Sequence, residues 1–223
     1  MDAVLWRCQV ASSPTRKERA RATRLRIVEA AHELFVERGY TGARMQDIAE
    51  RAGVAVQTVY FAFHTKAELL QACYDHAVLG PDELPPPLQP WFAALMASTS
   101  GAGAVRLFAE GNTSICARVG VLDDVTRSAQ HEPEAVAVRS RSEALRREGY
   151  AGVVRHLADR FGLRAGLTTD GATDVLLTLG GTAPYRSLVV DYGWTLEAYV
   201  DWLAGVLERE LLAPGRAARR TRS

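Results

Sequence analysis

An all-α chain of two unequal parts is what the sequence predicts: a small three-helix head followed by a larger helical body. Three observations carry this. Apolar residues recur at helical spacing through most of the 223 residues, and no segment alternates with period two between hairpin turns, so no sheet is expected. In RMQDIAERAGVAVQTVYFAFHTK, Arg44 to Lys66, two short helical patterns flank a turn containing Gly53, the spacing of a helix-turn-helix. Finally, GPDELPPPLQP, Gly80 to Pro90, holds five of the nine prolines. Repeated proline fixes φ and removes amide donors, so helix cannot pass and the domain connection is placed there.

Element by element, the first helix is expected from about Ala20 to Arg38, with Ile27, Val28, Ala31, Leu34 and Phe35 as its buried stripe and Gly39 as its stop. The second spans about Met45 to Ala52, where Ile48, Ala49 and Ala52 share one face; Gly53 supplies the left-handed residue that ends it. The third spans about Val56 to Phe63, with Val56, Val59, Tyr60 and Phe63 at i, i+3, i+4 and i+7. The fourth runs from Lys66 to about Leu79, with Leu69, Leu70 and Cys73 inward. Body helices follow near 90–99, 103–122, 133–161, 170–191 and 195–212, and Gly180, Gly181 and Pro184 predict a break inside the fourth of these. Thr195 is the expected N-cap of the last helix. Its stripe Leu196, Val200, Leu203, Leu207 and Leu211, with Tyr199, Trp202 and Val206 beside it, is too broad for one buried side. Either both sides pack within one chain or one faces a second copy. The domain reading is a disordered tail over 1–15, a helix-turn-helix domain over 16–66, a helical body over 67–212, and a basic disordered tail over 213–223.

Net charge is +1, but it is unevenly placed: +4 over residues 1–66, −7 over 67–212 and +4 over 213–223. A basic end on an acidic body suits an anionic polymer held at one end. No run of 18 apolar residues occurs, so no membrane helix is expected, and MDAVLWRCQV lacks the features of a secretory leader. Three widely spaced cysteines, Cys8, Cys73 and Cys116, read as thiols of a reducing cytoplasm.

Ile27 to Leu70 carries a resemblance. A-A-x-x-L-F-x-x-x-G-Y at Ala30 to Tyr40, D-I-A-x-x-A-G-V at Asp47 to Val54, T-V-Y-x-x-F at Thr58 to Phe63 and K-x-x-L-L at Lys66 to Leu70 stand in order and spacing. The segment resembles the N-terminal domain of the tetracycline-repressor (TetR) family, over about a fifth of the chain; the rest matches in length and helical layout. The resemblance implies a DNA-binding transcriptional regulator, with 16–66 as its helix-turn-helix DNA-binding domain and 67–212 as a helical ligand-binding and dimerisation domain: a repressor that binds a palindromic double-stranded operator as a homodimer through its last two long helices and is released by a small-molecule effector. No cofactor or metal is implied.

On the recognition helix the exposed candidates are Ala55, Gln57, Thr58, Phe61 and Ala62. Gln57 suits a bidentate contact with adenine, and Thr58 a hydrogen bond or a thymine methyl; the other reading of Gln57 is a solvated side chain. Val56 and Val59 are core or groove-facing. The helix has no Arg or Lys, so it offers no bidentate reader of guanine; Arg44 is the nearest candidate. The resemblance implies phosphate contacts for Tyr60 and Lys66, with His64 beside them, although Tyr60 also fits a packed position with its hydroxyl satisfied locally. The arm Arg16, Lys17, Arg19, Arg21 and Arg24 suits the DNA backbone or minor groove, or plain solvation. One departure is Arg44, where the family usually has Ser or Thr as helix cap; arginine has no side-chain oxygen to cap with. In the body, Trp91, Leu95, Met96, Phe108, Cys116 and Tyr150 are the candidate effector lining, with Asn112 and Arg146 as polar partners.

Other classes find less support. Five histidines are scattered, Cys73 and His76 share a face without further ligands at zinc spacing, and neither a phosphate-cradling glycine loop nor a nucleophile elbow occurs, so no enzyme is expected. The remaining alternative is a helical dimer whose degenerate head binds protein, suggested by the uncharged recognition helix and Arg44.

Overall fold

A computed structural model describes residues 15–213. Most of the two expected tails, and Cys8, lie outside the described residues. Thr15, assigned to the first tail, instead caps the first helix: its hydroxyl accepts from the Glu18 amide at 3.2 Å while Glu18 Oε2 accepts from the Thr15 amide at 2.6 Å. This capping box starts α1 four residues earlier than expected, at Arg16, and it extends to Gly42 with a break in the helical path at Gly39.

The head then follows its sequence signals closely. α2 is Met45–Ala52, α3 is Val56–Ala62 and α4 is Lys66–Leu79. Gly53 takes φ 65°, ψ 40°, and its amide and that of Val54 close the end of α2. That left-handed residue reverses the chain so that α3 can leave at an angle. Thr65 caps α4 by accepting from the Glu68 amide at 3.1 Å.

The proline-rich stretch forms a turn and one 3-10 turn, Pro86–Leu88. The body comprises α5 Pro90–Ala97, α6 Gly101–Ser128, α7 Pro133–Phe161, α8 Thr169–Leu179, α9 Thr182–Tyr185 and α10 Leu196–Leu211. The expected single helix over 170–191 is broken at Gly180 and Gly181, and the chain resumes as α9 and a π-helical turn, Arg186–Asp191. Among the described residues there is no strand; Leu163 and Leu212 pair in one isolated bridge that ties the end of α10 to the α7–α8 loop.

Two cores result. One unites α1 to α4 with the far end of α6 and the start of α7, through Leu34, Phe35, Ile48, Leu69, Leu70 and Leu122. The other fills the body, through Leu95, Phe108, Val154, Leu176, Leu203 and Leu207. α4 therefore buries its apolar face with the head while its other contacts reach the body. Tyr40 donates to Glu134 at 2.9 Å, so a polar bond also fastens head to body, and Tyr74 on α4 donates to Asp123 on α6 at 3.0 Å. No described helix is long and apolar enough to cross a membrane.

Candidate nucleic-acid interface

The helix-turn-helix is held from inside and bare outside. Val59 is fully buried and Phe63 nearly so, which fixes the inner face of α3. Arg24 of α1 lies 4.0 Å over the Phe63 ring and donates to the Ala62 carbonyl at 2.8 Å, capping the C-terminal end of α3. On the outer face Ala55, Gln57, Tyr60 and Phe61 are exposed and Thr58 is half-buried. Tyr60 is 50% exposed and Phe61 88%. Val56 is half-buried against the head core, which places it with the core more than with a groove.

The flanking cations divide into two kinds. Arg44, at the N-cap of α2, is exposed and makes no side-chain capping bond, as its chemistry requires. Lys66, expected to reach phosphate, is instead turned inward. Its Nζ donates to the Tyr40 carbonyl at 2.8 Å and sits 4.3 Å from the Tyr40 ring centre, and burial holds its pKa below the ordinary lysine value. The ammonium satisfies a carbonyl at the irregular end of α1, where the break at Gly39 leaves acceptors without helical partners. His64 is exposed; its amide and ring both meet Glu68 Oε2, at 3.0 and 3.3 Å, which completes the cap of α4.

Within the basic arm, Arg24 is committed to Ala62, and Arg21 pairs with Glu83 of the connection. Arg16, Lys17 and Arg19 are exposed along the first turns of α1. The head's acids are largely neutralised by its own arginines: Arg51 grips Glu37 with two bonds at 2.6 and 2.8 Å, and Arg38 holds Asp47 at 2.8 Å. The Arg51 bonds keep the Glu37 carboxyl below its usual range.

The body residues singled out from the sequence come together only in part. Asn112, Cys116 and Tyr150 converge on the carbonyl of Gly180, at 2.8, 3.5 and 2.9 Å, and Tyr150 also donates to Asn112. Phe108 meets the Tyr150 ring edge-on at 5.2 Å, and Arg146 approaches it at 5.9 Å while donating to Glu143. Burial pushes the Cys116 thiol up to about 12, so it is no nucleophile. Trp91 lies flat on Gly111, where any Cβ would collide with the ring, and Leu95 is buried in the body core. Met96 departs from the expectation: it is 40% exposed and takes no part in either core. One helical step from inward Leu95 turns it about 100° towards solvent. Open grooves of about 520 and 350 Å³ lie elsewhere, the first between α6 and the start of α10, the second beside α9.

Two arrangements escaped sequence reasoning. Arg24 had the signature of an arm residue, and nothing local signals a bond 38 positions away. The second is a buried junction around Asp123, which accepts from Tyr74 of α4 and, at 2.5 Å, from Thr182 of α9; Tyr74 also meets Thr126 at 3.0 Å.

Comparison with known proteins agrees with this geometry. Residues 27–73 match the family model described as bacterial regulatory proteins, tetR family. Over 59 residues the chain is 48% identical to the HTH-type transcriptional regulator TtgR of Pseudomonas putida, a match covering 26% of this chain and 28% of that protein. Over 58 residues it is 45% identical to the HTH-type transcriptional activator FasR of Mycolicibacterium smegmatis, covering 24% of this chain and 26% of that one. The match thus spans about a quarter of the length of these curated relatives. The crystal structure of NalD, the secondary repressor of the MexAB-OprM multidrug efflux pump in Pseudomonas aeruginosa, shares the fold: TM-score 0.64 at 22% identity, over 86% of this chain and 98% of that one.

Proposed function

We propose, because this chain belongs to the tetR family of bacterial regulatory proteins, that it is a transcriptional regulator whose head, 16–66, reads operator DNA and whose body, 67–212, senses a small molecule and pairs two copies. The observation that carries this is the two-sided state of α3. Its inner face is buried in the head core and its C-terminal end is tied to α1, while Gln57, Tyr60 and Phe61 are left to solvent. A rigid helix that exposes polar and aromatic groups suits base edges in a major groove. Arg44 and the exposed arm residues Arg16, Lys17 and Arg19 would supply phosphate contacts, with Tyr60 and His64 beside them.

Repression is the outcome we assign, with release by an effector. The ligand must bind the DNA-incompetent state more tightly than the competent one. The residues around Gly180 suit this. An effector that competes for Asn112, Tyr150 or the Gly180 carbonyl would disturb Thr182 two residues on. Thr182 holds Asp123, and Asp123 holds Tyr74 on α4. A displaced α4 would alter the spacing of two heads on a palindrome.

The test is binding of the full chain to DNA surrounding its own gene and to a random duplex, at two salt concentrations, followed by transcription from that DNA with and without the protein. Selective, salt-sensitive binding that lowers transcription supports the proposal. Raised transcription would reverse the assigned sign, and binding equal to that of the random duplex on every genomic fragment would reject the operator reading.

A further inference from the structure

Resting on the DNA-binding reading above, we infer that Phe61 makes this head a reader of thymine methyl groups, so that its half-sites carry an A·T core. Phe61 is 88% exposed, the most exposed large hydrophobic side chain among the described residues. Nothing among the described residues covers it, although its neighbours Val59 and Phe63 are buried. A phenyl ring held in water on a locked helix gains only when something apolar covers it. In a major groove the apolar group available on a base edge is the C5-methyl of thymine.

Charge points the same way. α3, VQTVYFA, has no cation; of the cations flanking it, Arg24 is taken by the Ala62 carbonyl and Lys66 by the Tyr40 carbonyl, and exposed Arg44 stands off the helix, at the N-cap of α2. The commonest reader of guanine, an Arg or Lys on O6 and N7, therefore has no donor on this helix. What remains is neutral: the Gln57 amide, the Ala55 methyl, the Thr58 hydroxyl and the Phe61 ring. Gln57 and Phe61 stand at i and i+4, on one face and about 5–6 Å apart. Base pairs step by about 3.4 Å, so the two side chains address positions about two steps apart. An A·T pair shows an adenine N6 donor beside the N7 acceptor to an amide and a methyl to a ring; a G·C pair sets an O6 acceptor beside N7 and carries no methyl.

The experiment selects duplexes from a random library with the full wild-type chain and with Phe61→Ala. The enriched wild-type site is then remade with uracil in place of core thymines, which removes only the methyl groups. An A·T core is expected, and uracil should weaken wild-type binding about fourfold per half-site, or about fifteenfold across two. In Phe61→Ala that loss should vanish; Phe61→Leu should keep part of it. A G·C core, or wild-type binding indifferent to uracil, overturns the inference while leaving the DNA-binding reading intact. So does Phe61→Ala binding every duplex as wild type does, which would give the ring to a protein partner. If the wild-type chain enriches no sequence at all, the DNA-binding reading itself fails, and this inference with it.

Discussion

A carboxamide on the outer face of α3 meets adenine with two hydrogen bonds and meets no other base so well. Gln57→Ala is therefore expected to weaken binding to the selected operator by about 1–3 kcal/mol while leaving random duplex unaffected. Titration on both DNAs checks it, and equal losses would remove Gln57 from base readout. Lys66 has a different future. Because its ammonium is spent on the Tyr40 carbonyl and ring, Lys66→Ala should lower head stability by about 1–2 kcal/mol. In a chain of this size that is a fall of roughly 3–6 °C in Tm. The salt dependence of DNA binding should not change; a phosphate ligand would lower its slope by about one and leave Tm alone. Sequence placed Gln57 and Lys66 on equal footing, since both are polar groups near the recognition helix. Only the fold separates them, because the carbonyl that captures Lys66 lies 26 residues away. The same distance blindness hid Arg24. Exposed neutral residues such as Gln57 and Phe61 were legible because a helical face, once its buried members Val59 and Phe63 are known, leaves the rest outside.

Elements were legible where the chain carries its own punctuation. α2 ends at the expected Gly53 and α4 starts at the expected Lys66, because a left-handed glycine and, as the structure shows, the Thr65 hydroxyl cap act within one turn. The long helix over 170–191 was legible only as a site of breakage. That the break becomes α9 and a π-helical turn depends on what Gly180 and Thr182 bond to across the body. This is where a double-mutant test belongs. Tyr74→Phe and Thr182→Val each remove one donor from buried Asp123, and each should cost about 1–2 kcal/mol in denaturant unfolding. Because both act on one carboxylate, the double variant should depart from additivity by at least about 0.5 kcal/mol. Additive costs would mean that α4 and α9 are held independently, and the proposed route from the Gly180 carbonyl to the head would lose its central link.

At the scale of the molecule, the body leaves an apolar margin that the described residues of one chain do not cover. The main stripe of α10, Leu203, Leu207 and Leu211 with Tyr199, is buried within the chain, so the breadth of that helix is partly an intrachain matter. Around its start, however, Val190, Tyr192, Trp194 and Leu196 are 63%, 74%, 38% and 52% exposed, and Trp202 and Val206 are half-buried. Composition alone could not apportion these faces, since apolar residues on two sides of a helix look alike until the packing partners are known. If two copies meet here about a two-fold axis, the same patch is buried on both, and one added charge per chain becomes two like charges in one desolvated interface. Tyr192→Asp and Leu196→Asp are expected to keep the protomer folded, because both side chains are already solvated in it, and to turn a dimer into a monomer in sedimentation at micromolar concentration. A monomer grips one half-site, so operator affinity should fall by about a hundredfold or more as the second contact ceases to be intramolecular. Random-duplex binding per head should hardly change, which distinguishes lost pairing from a damaged head. A chain that remains dimeric with both substitutions would place the two-fold contact on another surface, the 520 Å³ groove between α6 and α10 being the next to probe.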